Sequence, residues 1–262
     1  MPSITGEMMG DIVGDLNINI LGSVAIQHGE HAISVSPPKA RALLVILAIR
    51  SHEVISRDEL IDAIWGHRPP SAARSNVHTY VTALRRLLTG DLLVTTPPGY
   101  LLRLGREQLD SRRFEATLAQ ARGRRTAGEH EPALRLYDAA LALWRGASIL
   151  GTPGPFAEAA RARLDELRLI TLEERVHVML ELGRHTEVLS DVAALARHHP
   201  LNERLRGLHM LALYRNGRQA DAFHVFEDTR RALAEELGVE PSRELRRWHE
   251  RILQADAGAI GL

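Results

Sequence analysis

The chain has 262 residues, 45% of them hydrophobic, and its 33 basic residues are balanced by 33 acidic residues. This length and apolar content predict about two packed globular domains. The absence of cysteine excludes disulfides and cysteine-ligated metals, and no run of about 18 apolar residues could cross a membrane. The start, MPSITGEMMGDIVG, lacks the basic flank and apolar stretch of a secretory signal, so we predict a soluble cytoplasmic protein with no membrane partner.

The first elements in chain order are a small sheet and a buried helix. Apolar and polar residues alternate from 16 to 35, with Gly22 and Gly29 as turn points, which predicts two or three short antiparallel strands. Ser36 and two prolines then precede the apolar segment Lys39 to Arg50. A serine cap followed by proline is typical of a helix start, so we predict a first helix here.

Two further helices follow. Ser56 and Glu59 have capping-box spacing at the start of the second helix, which we expect to end near Gly66. After two prolines, Ser71 occupies the N-cap position of a third helix that runs to about Leu88 and is closed by a Thr-Gly-Asp segment.

A hairpin completes this region. Leu92 to Thr95 and Tyr100 to Arg103 predict two strands joined around Pro97-Pro98-Gly99. Three helices followed by a hairpin is the order of a winged helix-turn-helix domain. We therefore assign residues 16–105 to such a domain and residues 1–15 to a flexible N-terminal tail.

The third helix carries the clearest chemical pattern. At 100° per residue, one stripe is apolar and is predicted to be core: Ala73, Val77, Val81, Leu84 and Leu88. The opposite face has short hydroxyls and long cations and no acidic residue, and such a face fits a major groove, because threonine methyls can contact thymine and arginines can bind guanine or phosphate. A solvated amphipathic face is the alternative. We predict DNA contacts for Arg74, Ser75, His78, Thr79, Thr82, Arg85 and Arg86, and for Thr96 and Gly99 in the wing.

The second half is predicted to be an all-α, tetratricopeptide-like helical repeat. Gly128, Gly183 and Gly217 are each followed by apolar residues at positions five, six and nine, and the last two glycines are 34 residues apart. We interpret the glycines as allowing close passage between paired helices. The spacing of 55 between the first two indicates about 21 inserted residues around 151–155, interpreted as a surface loop, with a polymerase or inter-subunit contact as the alternative.

Aromatic residues in this half have the spacing of packing residues, and we predict a core position for Tyr214, Phe223 and Phe226. We assign residues 110–255 to the repeat domain and 256–262 to a C-terminal tail. The predicted fold is thus mostly α with a small β component, a winged helix-turn-helix domain followed by an all-α repeat domain.

The sequence contains no motif for catalysis, a metal or a cofactor. His249-Glu250 is not followed by the second histidine of H-E-x-x-H, and neither a phosphate-binding loop nor a nucleophile elbow is present. His198-His199 precede a proline at a predicted helix end, where histidine favourably meets the terminal carbonyls. We therefore predict no catalytic residues, no metal and no cofactor.

Several motifs together carry a family resemblance. The stretch 16–103 resembles the OmpR/PhoB-type winged-helix domain, through its recognition-helix pattern at 80–88 and its wing at 98–101. The second half resembles the bacterial transcriptional activator domain through LWRG, HPLNE, LYRNGRQA and ELGVEPS, which begin at residues 143, 199, 213 and 236. In this order, the two domains resemble the Streptomyces antibiotic regulatory protein family.

The resemblance implies a DNA-binding transcriptional activator of secondary-metabolite genes. Such a protein is expected to bind direct repeats near the −35 region as a homodimer and to recruit RNA polymerase. Because the sequence ends soon after Leu253, we expect none of the NTPase or forkhead-associated modules of larger relatives. The alternative function is a tetratricopeptide-like scaffold whose winged helix contacts protein instead of DNA, and a steep salt dependence of promoter binding would separate the two.

Overall fold

A computed structural model of the chain describes residues 16–88 and 91–254. Within these residues it has six short strands and ten α-helices, so the predicted fold class is confirmed. The predicted tails, 1–15 and 256–262, lie outside the described residues, as do Thr89 and Gly90 of the predicted helix ending. In the described part of the chain, no helix is both long and apolar enough to span a membrane.

The chain divides into two compact units. The first unit contains the described residues up to Ala119 together with Ala139–Arg168, and the second contains Gln120–Asp138 together with the residues from Leu169 onward. The first unit therefore includes a segment from the second half of the chain, in addition to the sheet and the first helices.

The first unit begins with an antiparallel sheet of three strands in sequence order: β1 (Leu16–Asn19), β2 (Ala25–His28) and β3 (His31–Ser34). The predicted sheet is confirmed. Ile18 of β1 pairs with Ile26 of β2, and both side chains are fully buried, so the alternating pattern places one face of the sheet in the core.

Three helices follow: α1 (Pro38–Ile49), α2 (Arg57–Trp65) and α3 (Ala73–Leu87). The predicted capping box of α2 is confirmed, because Ser56 Oγ accepts a hydrogen bond from the Glu59 N–H at 3.2 Å and the Glu59 carboxylate accepts one from the Ser56 N–H at 2.9 Å. These bonds lower the pKa of Glu59 below its ordinary value.

The predicted serine caps of the other two helices are wrong. Helix α1 begins after Pro37 and not after Ser36, and α3 begins after Ala72 and not after Ser71, in both cases with no side-chain cap. In α3 a serine cap is not needed at Ala73, because the Ala73 N–H already donates to the Pro70 carbonyl at 2.9 Å. In α1, proline at the first helical position has no N–H to satisfy.

The predicted hairpin is confirmed as β5 (Leu93–Thr96) and β6 (Gly99–Leu102). A two-residue strand that was not predicted, β4 (Ile55–Ser56), pairs with β6 and completes a sheet of order β4-β6-β5. The strand was not predicted because Ser56 belongs both to β4 and to the capping box of α2, and the capping box indicated a helix start.

A short 3₁₀ helix at Arg106–Gln108 precedes the remaining seven helices, which are α4 (Asp110–Thr126), α5 (His130–Ala142), α6 (Pro155–Glu181), α7 (His185–His198), α8 (Glu203–Arg215), α9 (Gln219–Leu237) and α10 (Arg243–Leu253).

The segment before α6 is bound to the connection between β1 and β2 and is not a simple surface loop. The N–H groups of Arg145, Ile149 and Leu150 donate to the carbonyls of residues 21, 20 and 22 at 2.8, 2.8 and 3.0 Å. Thr152 is 3% exposed, and a Cβ added at Gly154 would lie 2.7 Å from the carbonyl oxygen at the end of α2. The surface-loop interpretation is corrected because backbone hydrogen bonds to the connection between β1 and β2 hold this segment in the first unit.

Asp110 joins three parts of the same unit. Its fully buried carboxylate accepts hydrogen bonds from the N–H groups of Ile20 and Leu21 at 2.9 and 3.0 Å, and it forms an ion pair with Arg145. Burial raises the pKa of this carboxyl group, while the two N–H groups and Arg145 oppose that rise. The carboxylate therefore connects the residues that follow β1, the start of α4 and the segment after α5.

In the second unit, the three repeat glycines have one backbone geometry. Gly128, Gly183 and Gly217 each have φ of +75°, and each N–H donates three residues back while the next N–H donates five residues back. This is the Schellman ending of a helix. A Cβ added at any of the three would meet nothing within 4 Å, so the close-passage interpretation is wrong, and the glycines are required by the left-handed φ.

We expect Gly217→Ala to lower the free energy of unfolding by about 1 kcal/mol, because alanine is strained at this φ. Gly123→Ala is the matched control: it lies inside α4, also with nothing within 4 Å of an added Cβ, and should stabilise by about 0.5–1 kcal/mol. Urea unfolding monitored by circular dichroism measures both changes. Two effects of the same sign would contradict the backbone explanation.

The predicted repeat core is largely confirmed. The residues five places after the glycines, Ala133, Val188 and Ala222, are fully buried. Phe226 is also buried and stacks on the ring of His249 with centroids 3.9 Å apart. The other two predicted aromatic core residues, Tyr214 and Phe223, are only half-buried.

Candidate nucleic-acid interface

Helix α3 has one buried and one exposed face, as its periodicity predicts. All five residues of the apolar stripe are confirmed as core, with exposed fractions of 5% or less: Ala73, Val77, Val81, Leu84 and Leu88. On the other side, Arg74, Ser75, His78, Thr79, Thr82, Arg85 and Arg86 are exposed. The structure therefore brings seven of the nine predicted DNA-contacting residues together on one helix face.

The hydroxyl groups of this face are already hydrogen-bonded to the helix backbone. Ser75, Thr79 and Thr82 donate to the carbonyls of residues 72, 75 and 78 at 2.9, 3.0 and 3.0 Å. A hydroxyl has one donor and two acceptor lone pairs, so these donors are used within the helix. What the two threonines can offer a partner is a methyl group and oxygen lone pairs.

The three arginines of the face differ in their partners. Arg74 forms an ion pair with Asp58 at 3.0 Å, and both side chains are highly exposed, so this pair contributes little to stability. Arg85 donates to the Leu93 carbonyl at 3.0 Å and to Thr95 Oγ1 at 2.7 Å. Among the described residues Arg86 has no hydrogen-bond or ion-pair partner.

The wing residues have different environments. Thr96 is half-buried at the end of β5. Gly99 is buried opposite Ser56, and a Cβ added there would lie 1.7 Å from the carbonyl oxygen of Ile55. The structure thus explains this glycine by the close approach of β4, which only a residue without a side chain permits.

Two residues that contact this face were not predicted as part of the site. Thr95 positions Arg85 from the wing, and Asp58 pairs with Arg74 from α2. In the sequence, Asp58 is an acidic residue in the first turn of a helix, which is a common position for a carboxylate. That position does not indicate a partner 16 residues away. A single sequence offered no signal for the Thr95 contact, which depends on the fold of the wing.

Family models match both halves of the chain. Residues 32–102 match the model described as transcriptional regulatory protein, C terminal, and residues 109–253 match the bacterial transcriptional activator domain. These matches and the winged-helix geometry define a class of transcription regulators. The chain belongs to the Streptomyces antibiotic regulatory protein family.

Relatives with similar sequences are regulators. The regulatory protein AfsR of Streptomyces griseus is 44% identical over 241 residues, which are 92% of this chain and 25% of that protein. The regulatory protein DnrI of Streptomyces peucetius is 34% identical, over 93% of this chain and 94% of that protein. The chain thus spans about a quarter of the length of AfsR and almost the whole of DnrI.

A solved structure has the same fold. Mycobacterium tuberculosis EmbR, in complex with a low affinity phosphopeptide, aligns with a TM-score of 0.88 and 32% identity, over 92% of this chain and 65% of that one. Both the winged-helix region and the helical repeats are therefore shared with a transcriptional regulator of known structure.

Proposed function

We propose that this protein is a sequence-specific DNA-binding activator of secondary-metabolite genes, such as those for antibiotic biosynthesis. The observation that carries the proposal is the exposed, acid-free face of α3, with its hydroxyls and the unpaired Arg86, on a helix whose other face is fully buried. Small side chains on a rigid helix permit deep entry into a major groove. The family membership supports DNA as the partner.

In this proposal, residues 16–105 bind the operator and residues 110–255 support activation. The operator is a direct repeat near the −35 region, bound by a homodimer, and RNA polymerase is the second partner. A chromosomal target places this activity in the cytoplasm. The domain order and the similarity to DnrI over nearly its whole length support this division of roles.

The proposed contact set is the helix face and one wing residue. It contains Arg74, Ser75, His78, Thr79, Thr82, Arg85, Arg86 and Thr96. We leave out Gly99, because it is buried beneath β4 and its role in the sheet accounts for it.

The test is binding of the full chain to duplexes selected from a random DNA library, in competition with scrambled duplexes over a range of salt concentrations. Specific binding predicts a preference for the selected duplex and an affinity that falls steeply with salt, because phosphate contacts release counterions. A scaffold whose winged helix contacts protein would show neither a sequence preference nor a steep salt slope.

Substitution of single arginines should separate base contacts from phosphate contacts. We expect Arg86→Ala to cost about 1–3 kcal/mol and to relax specificity at one base pair, because this guanidinium is free to bind a base edge. Arg74→Ala, the matched control, removes a cation already paired with Asp58 and should weaken binding to all sequences by a smaller and equal amount. Equal, sequence-independent losses in both variants would contradict this assignment of Arg86.

A further inference from the structure

The last helix of the second unit, α10, is held firmly by its inner face. Leu245 and Ile252 are buried, and the ring of Trp248 lies so close to α8 that a Cβ added at Gly207 would be 2.2 Å from it. The helix starts at a Ser242 cap, with the Leu245 N–H donating to Ser242 Oγ at 3.3 Å. The direction of the outer face is therefore fixed by packing.

The outer face of α10 is a cluster of unpaired cations. We call Arg243, Arg246, Arg247 and Arg251 the α10 arginine face; the first three are exposed and the last is half-buried. Within residues 16–88 and 91–254, no carboxylate is within salt-bridge distance of any of these four guanidinium groups. Two glutamates on the same helix leave it with an excess of positive charge.

Three other arginines of this unit have carboxylate partners. Arg184 pairs with Glu131 at 2.6 Å, Arg218 pairs with a carboxylate at 2.6 Å, and Arg230 pairs with one at 2.8 Å. In a protein whose charges balance overall, α10 therefore presents cations without internal partners. Such a surface is complementary to an anionic partner.

We propose that the α10 arginine face binds the sugar-phosphate backbone of duplex DNA. The proposal rests on the DNA-binding function proposed above. The outer surface of α10 consists of these arginines and the two glutamates of the helix and has no apolar centre, whereas a protein interface has an apolar core and a DNA interface is polar and positively charged. Leu253, the exposed apolar residue of α10, lies at its last position.

The dimensions of the face fit more than one phosphate. Arg243 and Arg251 are eight positions apart, which is roughly 12 Å along a helix axis. A DNA strand carries one phosphate about every 3.4 Å of the duplex axis. Guanidinium groups bind phosphate oxygens through paired N–H donors, and such contacts are independent of base sequence. The face should therefore add affinity without adding specificity.

The experiment compares two triple variants of the full chain. Arg243→Gln, Arg246→Gln and Arg247→Gln remove three cations from the α10 arginine face. The matched control removes three carboxylate-paired cations with the same change in net charge: Arg184→Gln, Arg218→Gln and Arg230→Gln. Fluorescence anisotropy with library-selected and scrambled duplexes measures affinity over a range of salt concentrations, and circular dichroism checks folding.

We expect the first triple variant to bind both duplexes about tenfold or more weakly at low salt, and its salt slope to be less steep by about 0.9 for each lost phosphate contact. The control should keep the wild-type slope. Glu250→Gln removes a carboxylate from α10 and should therefore bind both duplexes more tightly. This variant tests the proposal even if the triple variant misfolds.

A first triple variant with the wild-type slope would overturn the proposal, and so would equal slopes in the two triple variants. If the first triple variant lost the ability to activate transcription while its DNA binding stayed unchanged, the proposal would be overturned in favour of an acidic protein partner. In each of these results a wild-type preference for the selected duplex leaves the proposed function standing. If the wild-type chain binds neither duplex, both the proposed function and this inference fail.

Discussion

The double variant Thr79→Ala, Thr82→Ala should reduce the preference for the selected operator over scrambled DNA by about tenfold or more, on the scale of 1–3 kcal/mol per lost base contact. Its melting temperature should stay within a few degrees of the wild type, because both side chains are exposed and the core residues of α3 are unchanged. Non-specific binding should persist, because the flanking arginines remain. Competition gel shifts at fixed salt measure the preference ratio.

The hydrogen bonds of these threonines sharpen the prediction. Because each hydroxyl donates within the helix, the methyl groups are the expected contacts to a base, and the thymine methyl is their partner in a major groove. Replacing thymine by deoxyuridine in the operator should weaken wild-type binding at the contacted positions. It should have little effect on the variant Thr79→Ser, Thr82→Ser, which keeps the hydroxyls and lacks the methyls.

Thr79→Val with Thr82→Val is the matched control, since valine keeps a methyl at each position and lacks the hydroxyl. It should retain the sensitivity to deoxyuridine. An unchanged preference in the folded alanine variant would mean that this face does not bind bases, and the scaffold function would then be favoured. If the alanine variant lost the preference but deoxyuridine did not weaken wild-type binding, only the contact to the thymine methyl would be contradicted.

Asp110→Ala should lower the free energy of unfolding by roughly 2–6 kcal/mol, about 1–3 kcal/mol for each of two buried N–H donors left unsatisfied. The substitution leaves the N–H groups of Ile20 and Leu21 without an acceptor in the core, and each buried unsatisfied donor carries a desolvation cost. Arg145 contributes less, because 44% of its side chain is exposed. Urea unfolding monitored by circular dichroism measures the change.

The control for this prediction is Asp138→Ala, which removes a half-exposed carboxylate paired with Arg175 at 2.6 Å. Arg175 keeps a second carboxylate partner, Asp191 at 3.4 Å, and pairs with an exposed partner contribute about 0–1 kcal/mol, so this variant should stay close to the wild type. If Asp110→Ala were as stable as Asp138→Ala, the connection between the residues that follow β1, α4 and the segment at Arg145 would not contribute to the stability of the fold.

The candidate site was predicted from the sequence to the extent that it lies on one helix. The periodicity of α3 placed Val77 and Val81 inward and Thr79 and Thr82 outward, since both sides of an amphipathic helix are encoded every three to four residues. The partners that distinguish the arginines could not be predicted. Asp58 and Thr95 reach Arg74 and Arg85 only after α2 and the wing have packed beside α3.

The sequence by itself determined the features whose physical cause lies within a few residues: the capping box at Ser56 and Glu59 and the two faces of α3. It also located the three repeat glycines, but their left-handed φ at helix ends was found only in the structure. Only the tertiary structure decided the roles of Gly99 and Asp110. Gly99 is required because the backbone of β4 approaches it, and Asp110 meets N–H groups that are 90 and 89 residues away in the chain. Patterns within a few residues specify helices and strands. Contacts between residues about 90 positions apart form only when several helices and strands pack together, so no local pattern encodes them.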